Sequence, residues 1–300
     1  MAGPEETMTD ISIKSDSGPA KRRAAELSAA RPIAGSNLAL GLVGPILILA
    51  LWHGLGAAGV FDPNLVPTPA AVWSEFQGLA VSGDLTVHVL VTVERLFYGF
   101  VAGTIAATVF GALTGYSPLA RRLLDPTIQA LKAVPSLAWV PLFILWFGIF
   151  EESKISLIAI GAFFPIYLNL MTGIQGVDRK LAEVGRLYGL SRFALVRRIL
   201  IPATLPAYFT GLRGGLALAW MFVVAAELMG ASEGLGFLMI DGQMTGRPEV
   251  IVGALILFAI AGKLSDLLLV KITNRLLSWQ DTIGSTEGSI KGSSGGKTNA

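Results

Sequence analysis

The sequence predicts an all-α membrane protein with six transmembrane helices, on three observations: its composition, the length of its apolar stretches and the distribution of its basic residues. Of 300 residues, 53% are hydrophobic and 15% charged, and the mean hydropathy is +0.64. A soluble shell needs more polar surface than this, whereas a bilayer does not. Six apolar stretches, 38–57, 96–113, 128–150, 155–174, 205–229 and 250–270, are each long enough to cross about 30 Å of hydrocarbon. Residues 85–95, just before the second stretch, carry His88 and Glu94 among apolar positions; they fit either a surface segment or an extension of the span.

Lys and Arg sort by loop. They precede the first span (Lys14, Lys21, Arg22, Arg23, Arg31), follow the second (Arg121, Arg122), crowd 178–202 and follow the sixth (Lys271, Arg275). The alternate loops hold few: none over 58–93, Lys154 between spans three and four, and Arg247 between spans five and six. By the positive-inside rule both termini and the connection between spans four and five face the cytoplasm, giving an N-in/C-in topology. Residues 1–36 read as a disordered cytoplasmic tail, with a short helix around 21–30 and no apolar core of a signal peptide. Residues 284–300, rich in Ser and Gly, read the same way. Between the tails, 37–283 form one transmembrane domain.

Composition also excludes chemistries. There is no cysteine, so disulfides, thiolate metal sites and cysteine nucleophiles are absent. His53 and His88 are too far apart for paired metal ligation and read as membrane-rim residues. The net charge of +2 offers no basic stripe for nucleic acid. The terminal GSSGGKT is no phosphate loop, since that motif needs Gly where Lys291 stands, a preceding strand and a following helix. No Ser–His pair or paired aspartates suggest an intramembrane hydrolase, and acids within the spans are too few for an ion-coupled secondary carrier.

The connection 178–202, VDRKLAEVGRLYGLSRFALVRRILIPATLP with its flanks, is built as an elbow. Asp178 is a good N-cap for a helix over 179–188, and Gly189 suits a left-handed end. Ser191 caps a second segment over 192–200, which Pro202 and Pro206 stop or kink. Leu187, Tyr188, Leu190 and Phe193 are too apolar for a purely solvated loop.

The spacing Glu183, Gly189, Ile199, Pro202 resembles the "EAA" loop of ABC importer permeases, E-A-A-x3-G-x9-I-x-L-P, with Val184, Gly185 and Ile201 as departures. Over 65–279 the chain is similar to the sulfonate, taurine and nitrate permease group, in LLDPTIQALKAVPSLAWVPLFILWFGIFEESKI, FFPIYLN, AELMGASEGLGFLM and GKLSD; FFPIYLN and GKLSD look most like aliphatic-sulfonate permeases.

The resemblance implies a permease of the bacterial inner membrane acting as a homodimer, with two ATP-binding ABC subunits and a periplasmic or lipid-anchored solute-binding protein. It implies no catalysis and no cofactor on this chain, ATP and Mg being used by the partner ATPase. The elbow would be the coupling helix that docks on that ATPase, through Glu183, Gly189, Ile199 and Pro202. The cargo would be a small anionic organosulfur solute, aliphatic sulfonates first, with taurine or nitrate as alternatives.

Within the spans, Arg213 is a candidate for the path of an anion, snorkelling or pairing being the alternatives. Pro135 and Pro141 are candidates for a pathway helix, with plain kinked packing equally open. Glu94 and Arg95 suggest a mutual pair, Lys132 a snorkelling residue, and Glu227 a gate or interface residue.

Overall fold

A computed structural model describes residues 36–62 and 65–279, and every regular element among them is helical. The tails, including the GSSGGKT segment and the expected helix around 21–30, lie outside the described residues. The chain divides into two units, 1–58 and 59–300. The first contributes α1, Ser36–Ala57, whose described face is apolar and exposed at Ile46, Leu47, Ile48 and Leu51. Its limits agree with the first predicted span.

In the second unit the elements are α2 (Pro69–Ser82), α3 (Asp84–Tyr116), α4 (Pro118–Ala133), α5 (Trp139–Phe147), α6 (Glu151–Gln175), α7 (Arg179–Leu187), α8 (Arg192–Leu195), α9 (Ile201–Leu228), α10 (Leu235–Thr245) and α11 (Pro248–Leu276). Among the described residues four helical stretches are long and apolar enough to cross a membrane: Asp84–Tyr116, Glu151–Gln175, Phe193–Leu228 and Pro248–Leu276. They match predicted spans two, four, five and six. Residues 85–95 extend the second span instead of forming a separate surface segment.

The third predicted span, 128–150, is not one helix. α4 ends at Ala133, Val134 is extended, and a 3-10 turn, Ser136–Ala138, leads into the nine-residue α5. Pro135 is the cause: its ring disfavours the helical region for the preceding residue, so Val134 leaves the helix. Pro141 lies in the first turn of α5, where a missing N–H costs nothing, and so it kinks no helix.

α6 lies between α3 and α9 and supplies much of the core through Leu157, Ile158, Ala162, Ile166 and Tyr167. The approach on the α3 side is close because α3 presents glycine or alanine every four residues, at 99, 103, 107, 111 and 115. A Cβ on Gly99 would lie 2.6 Å from Ile158 Cβ, and one on Gly103 would overlap the Ala159 carbonyl oxygen. Backbone cannot yield as a side-chain tip does, so Gly103→Leu is expected to separate α3 from α6. Loss of monodisperse protein in mild detergent would report it, and a wild-type gel-filtration profile would contradict it.

A second cluster, Leu235, Leu238, Val250 and Ala254, joins α10 to α11, with Leu79 of α2 and Val89 of α3 against it.

Candidate coupling elbow and intramembrane charge sites

The elbow forms from local signals. The Asp178 carboxylate accepts from Lys180 N at 2.9 Å and opens α7. At its end Gly189 has φ 71°, its N–H donates to Arg186 O at 2.9 Å, and Leu190 N–H donates to Gly185 O at 3.0 Å. Those two bonds are the paired closure of a Schellman motif, which needs a left-handed residue. Ser191 Oγ accepts from Ala194 N at 3.2 Å and starts the return segment.

Gly185 is buried. A Cβ there would sit 2.7 Å from Ile199 Cδ1, so the departure from alanine lets Ile199 close over α7. Glu183 is exposed, and Pro202 is half-buried. Leu187, Tyr188 and Phe193 are 86, 84 and 75% exposed. Apolar side chains this bare, on a connection that also exposes Arg186, Arg197 and Arg198, suit a protein partner.

Of the two outcomes expected at Pro202 and Pro206, a stop or a kink, the helix does not stop. The chain passes through a π-turn, Val196–Leu200, in which Ile201 N–H donates to Val196 O, and continues as α9. The widened turn comes just before Pro202, where the four-residue ladder would lose a donor in any case.

The expected Glu94–Arg95 pair does not form. Neighbouring residues on a helix point in different directions, so the two cannot face each other. Glu94 is exposed, while Arg95 turns inward and is 4% exposed. Its Nε and Nη2 donate to the Glu151 carboxylate at 2.6 and 2.8 Å, and Nη1 donates to Glu227 Oε1 at 2.9 Å. Glu227 also accepts from Thr92 Oγ1 at 2.8 Å and Gly236 N at 2.8 Å, and Thr92 Oγ1 accepts from Leu235 N at 2.8 Å. Lys154 Nζ donates to Glu151 Oε1 at 2.9 Å.

The network thus ties α3, α6, α9 and the start of α10. Gly234, at φ 121°, admits it, because a Cβ there would meet Glu227 Oε1 and Arg95 Nη1 at 2.5 and 2.7 Å. His88 is no bare rim residue: its Nδ1 accepts from Gly234 N at 3.0 Å, and its ring stacks on Phe237. Sequence reasoning missed Thr92, Glu151 and Lys154 as members. The available signal was a charge in each of several apolar helices, which low-dielectric surroundings force into pairs.

Arg213 is not alone either. Its Nε and Nη2 donate to Asp266 Oδ1 and Oδ2 at 2.9 and 3.1 Å, a bidentate pair between α9 and the 262–266 segment of α11. Pro135 and Pro141 are both exposed, on the broken α4–α5 stretch, and the structure does not bring them to Arg213. Lys132 is exposed in the last turn of α4. No group of three His, Asp or Glu side chains suited to a metal ion occurs among the described residues.

Long apolar helices joined by internal ion pairs are the build of an integral-membrane protein. The chain belongs to the family of binding-protein-dependent transport system inner membrane components, whose family model matches residues 99–278. A Bacillus subtilis (strain 168) protein named for aliphatic sulfonates transport, the permease SsuC, is 40% identical over 242 residues, 81% of this chain and 88% of its own. The taurine transport system permease protein TauC of Escherichia coli (strain K12) is 30% identical over 242 residues, 79% of this chain and 88% of its own. The fold is shared with a chain of the MetNI methionine ABC transporter in inward-facing conformations, at a TM-score of 0.53 and 20% identity, covering 62% of this chain and 95% of that one. The chain is therefore the permease subunit of an ABC importer and not an enzyme; ATP hydrolysis belongs to a separate subunit of the complex.

Proposed function

We propose that this permease carries aliphatic sulfonates across a bacterial inner membrane, as one of two identical copies with six spans and both termini in the cytoplasm. A periplasmic binding protein delivers the solute, and two ATPase subunits dock on the elbow, with Glu183, Gly189, Ile199 and Pro202 as coupling residues. The observation that carries the reading is the Schellman-closed elbow with its bare Leu187, Tyr188 and Phe193, in a chain 40% identical to a permease named for sulfonates. Nucleotide-driven closure of the ATPases would move α7 and, through the π-turn, α9. Arg213, Pro135 and Pro141 are assigned to the pathway side of the bundle; for Arg213 the support is a charged pair deep in the spans. Taurine is the second reading, favoured by the TauC likeness; nitrate is a further alternative.

The decisive experiment reconstitutes the permease with its ATPase and binding protein in proteoliposomes and measures ATP-dependent uptake of hexanesulfonate, taurine and nitrate. Hexanesulfonate is expected to be taken up fastest; exclusive uptake of taurine or nitrate would transfer the assignment.

Topology is tested separately. Reporter fusions after Ser278 are expected to behave as cytosolic, and fusions within 58–82 as periplasmic. The opposite result at either place would overturn the six-span arrangement.

A further inference from the structure

The Arg213–Asp266 pair stands at the charged end of a cleft of about 490 Å³ between α9 and α11. At about 1.5 Å per residue, Arg213 is roughly 18 Å from the start of α9 and Lys263 roughly 22 Å from the start of α11, so both lie near mid-span. The Arg213 side chain is 51% exposed, and Lys263 is exposed without an ion pair within 4 Å among the described residues. Three ionised groups at this depth do not face hydrocarbon, which makes an isolated charge very costly; they face water or protein. With Asp266 subtracted, the cleft keeps one net positive charge.

One to two helical turns along the same cleft the lining changes to Leu216, Trp220, Met221 and Phe258. Trp220 is fixed there by a 2.8 Å hydrogen bond from Nε1 to Ser265 Oγ and by an edge-on contact with Phe258. A cationic end and an aromatic wall, side by side on two helices, match an anion that carries an alkyl chain.

We infer that this cleft is a low-affinity transit subsite for the alkanesulfonate, with Lys263 and Arg213 receiving the anionic head and Trp220 and Phe258 the chain. The assignment rests on the sulfonate reading above. Asp266 acts as an internal stand-in for the substrate's anion. It occupies Nε and Nη2 of Arg213, so an arriving sulfonate must share or displace it, and the site is kept from holding its cargo. No covalent step is involved. The same chemistry, an anionic head with an alkyl chain, is offered by an acidic phospholipid, and the test separates the two.

Labelled hexanesulfonate is titrated against the permease–ATPase complex without binding protein, in nanodiscs of phosphatidylcholine and again with phosphatidylglycerol added; uptake is measured in proteoliposomes of the same lipids. Lys263→Gln is expected to weaken binding about tenfold, the size of a charge-assisted hydrogen bond. Asp266→Asn is expected to tighten binding while uptake slows, an opposition that mere structural damage does not produce. Shortening the chain should weaken wild-type binding by about fourfold per methylene, and Trp220→Leu should flatten that dependence. Arg213→Lys keeps the charge and tests the fork if the asparagine variant does not fold: it should lose affinity while assembling normally. Binding unchanged in Lys263→Gln beside normal wild-type uptake would overturn the subsite and leave the sulfonate reading standing. Absence of wild-type hexanesulfonate uptake would overturn the function itself. Binding abolished by phosphatidylglycerol while uptake continues would reassign the cleft to lipid.

Discussion

Gly189→Val is expected to abolish most uptake while the permease inserts at normal abundance. Gly189 sits at φ 71°, and nothing lies within 4 Å of where its Cβ would be. The damage is therefore a backbone penalty and not a collision. A left-handed conformation costs a residue with a β-carbon roughly 1–2 kcal/mol, β-branched side chains most, which is a factor of about 5–30 in the population of the closed elbow. Without it, Leu190 N–H and Gly189 N–H lose Gly185 O and Arg186 O, and the return segment leaves α7 at another angle. Leu187, Tyr188 and Phe193 then no longer share one docking face. The matched control is Gly189→Asn, since asparagine visits the left-handed region at low cost and should retain most activity. Glu183→Lys, which reverses an exposed charge on α7, is expected to weaken ATPase association without touching the turn. The measurements are ATPase activity stimulated by the loaded binding protein, uptake, and membrane abundance. Wild-type uptake by Gly189→Val would remove the elbow as the coupling element.

Glu227→Ala is expected to be the most destabilising single change among the charged residues. Glu227 is 1% and Arg95 4% exposed, and the substitution strands part of a buried guanidinium together with Thr92 Oγ1 and Gly236 N–H. Breaking a buried pair from one side costs about 3–5 kcal/mol, here reduced to the extent that Glu151 still holds Arg95. The double variant Arg95→Met/Glu227→Leu removes both charges, so its loss should be well below the sum of the two single losses. Thermal unfolding in detergent reads both. An unchanged midpoint for Glu227→Ala would show that the network carries no stability. Because the network joins α3, α6, α9 and α10, the same variants are expected to loosen that end of the bundle and leave the elbow bonds intact.

The particular elements show where sequence reading succeeds. Spans two, four, five and six were legible because a membrane helix is announced by composition over a window, a property that needs no knowledge of neighbours. The elbow was legible because N-caps, Schellman turns and their glycines are satisfied within six residues of chain. The third apolar stretch is legible as apolar but not as two helices, because mean hydropathy is blind to the backbone break that Pro135 imposes on Val134.

The sequence by itself determined the class of protein, the positions of most membrane helices and the local shape of 178–202. Only the tertiary structure decided which charge meets which: Arg95 with Glu227 across 132 positions, and Arg213 with Asp266 across 53. Caps and hydropathy are local sums, whereas an ion pair in an apolar interior depends on which helix faces are brought together. For Arg95 and Glu227 that choice was made by the stripe of small residues between α3 and α6 and by the close contacts of α6 with α9, and no window along the chain contains it.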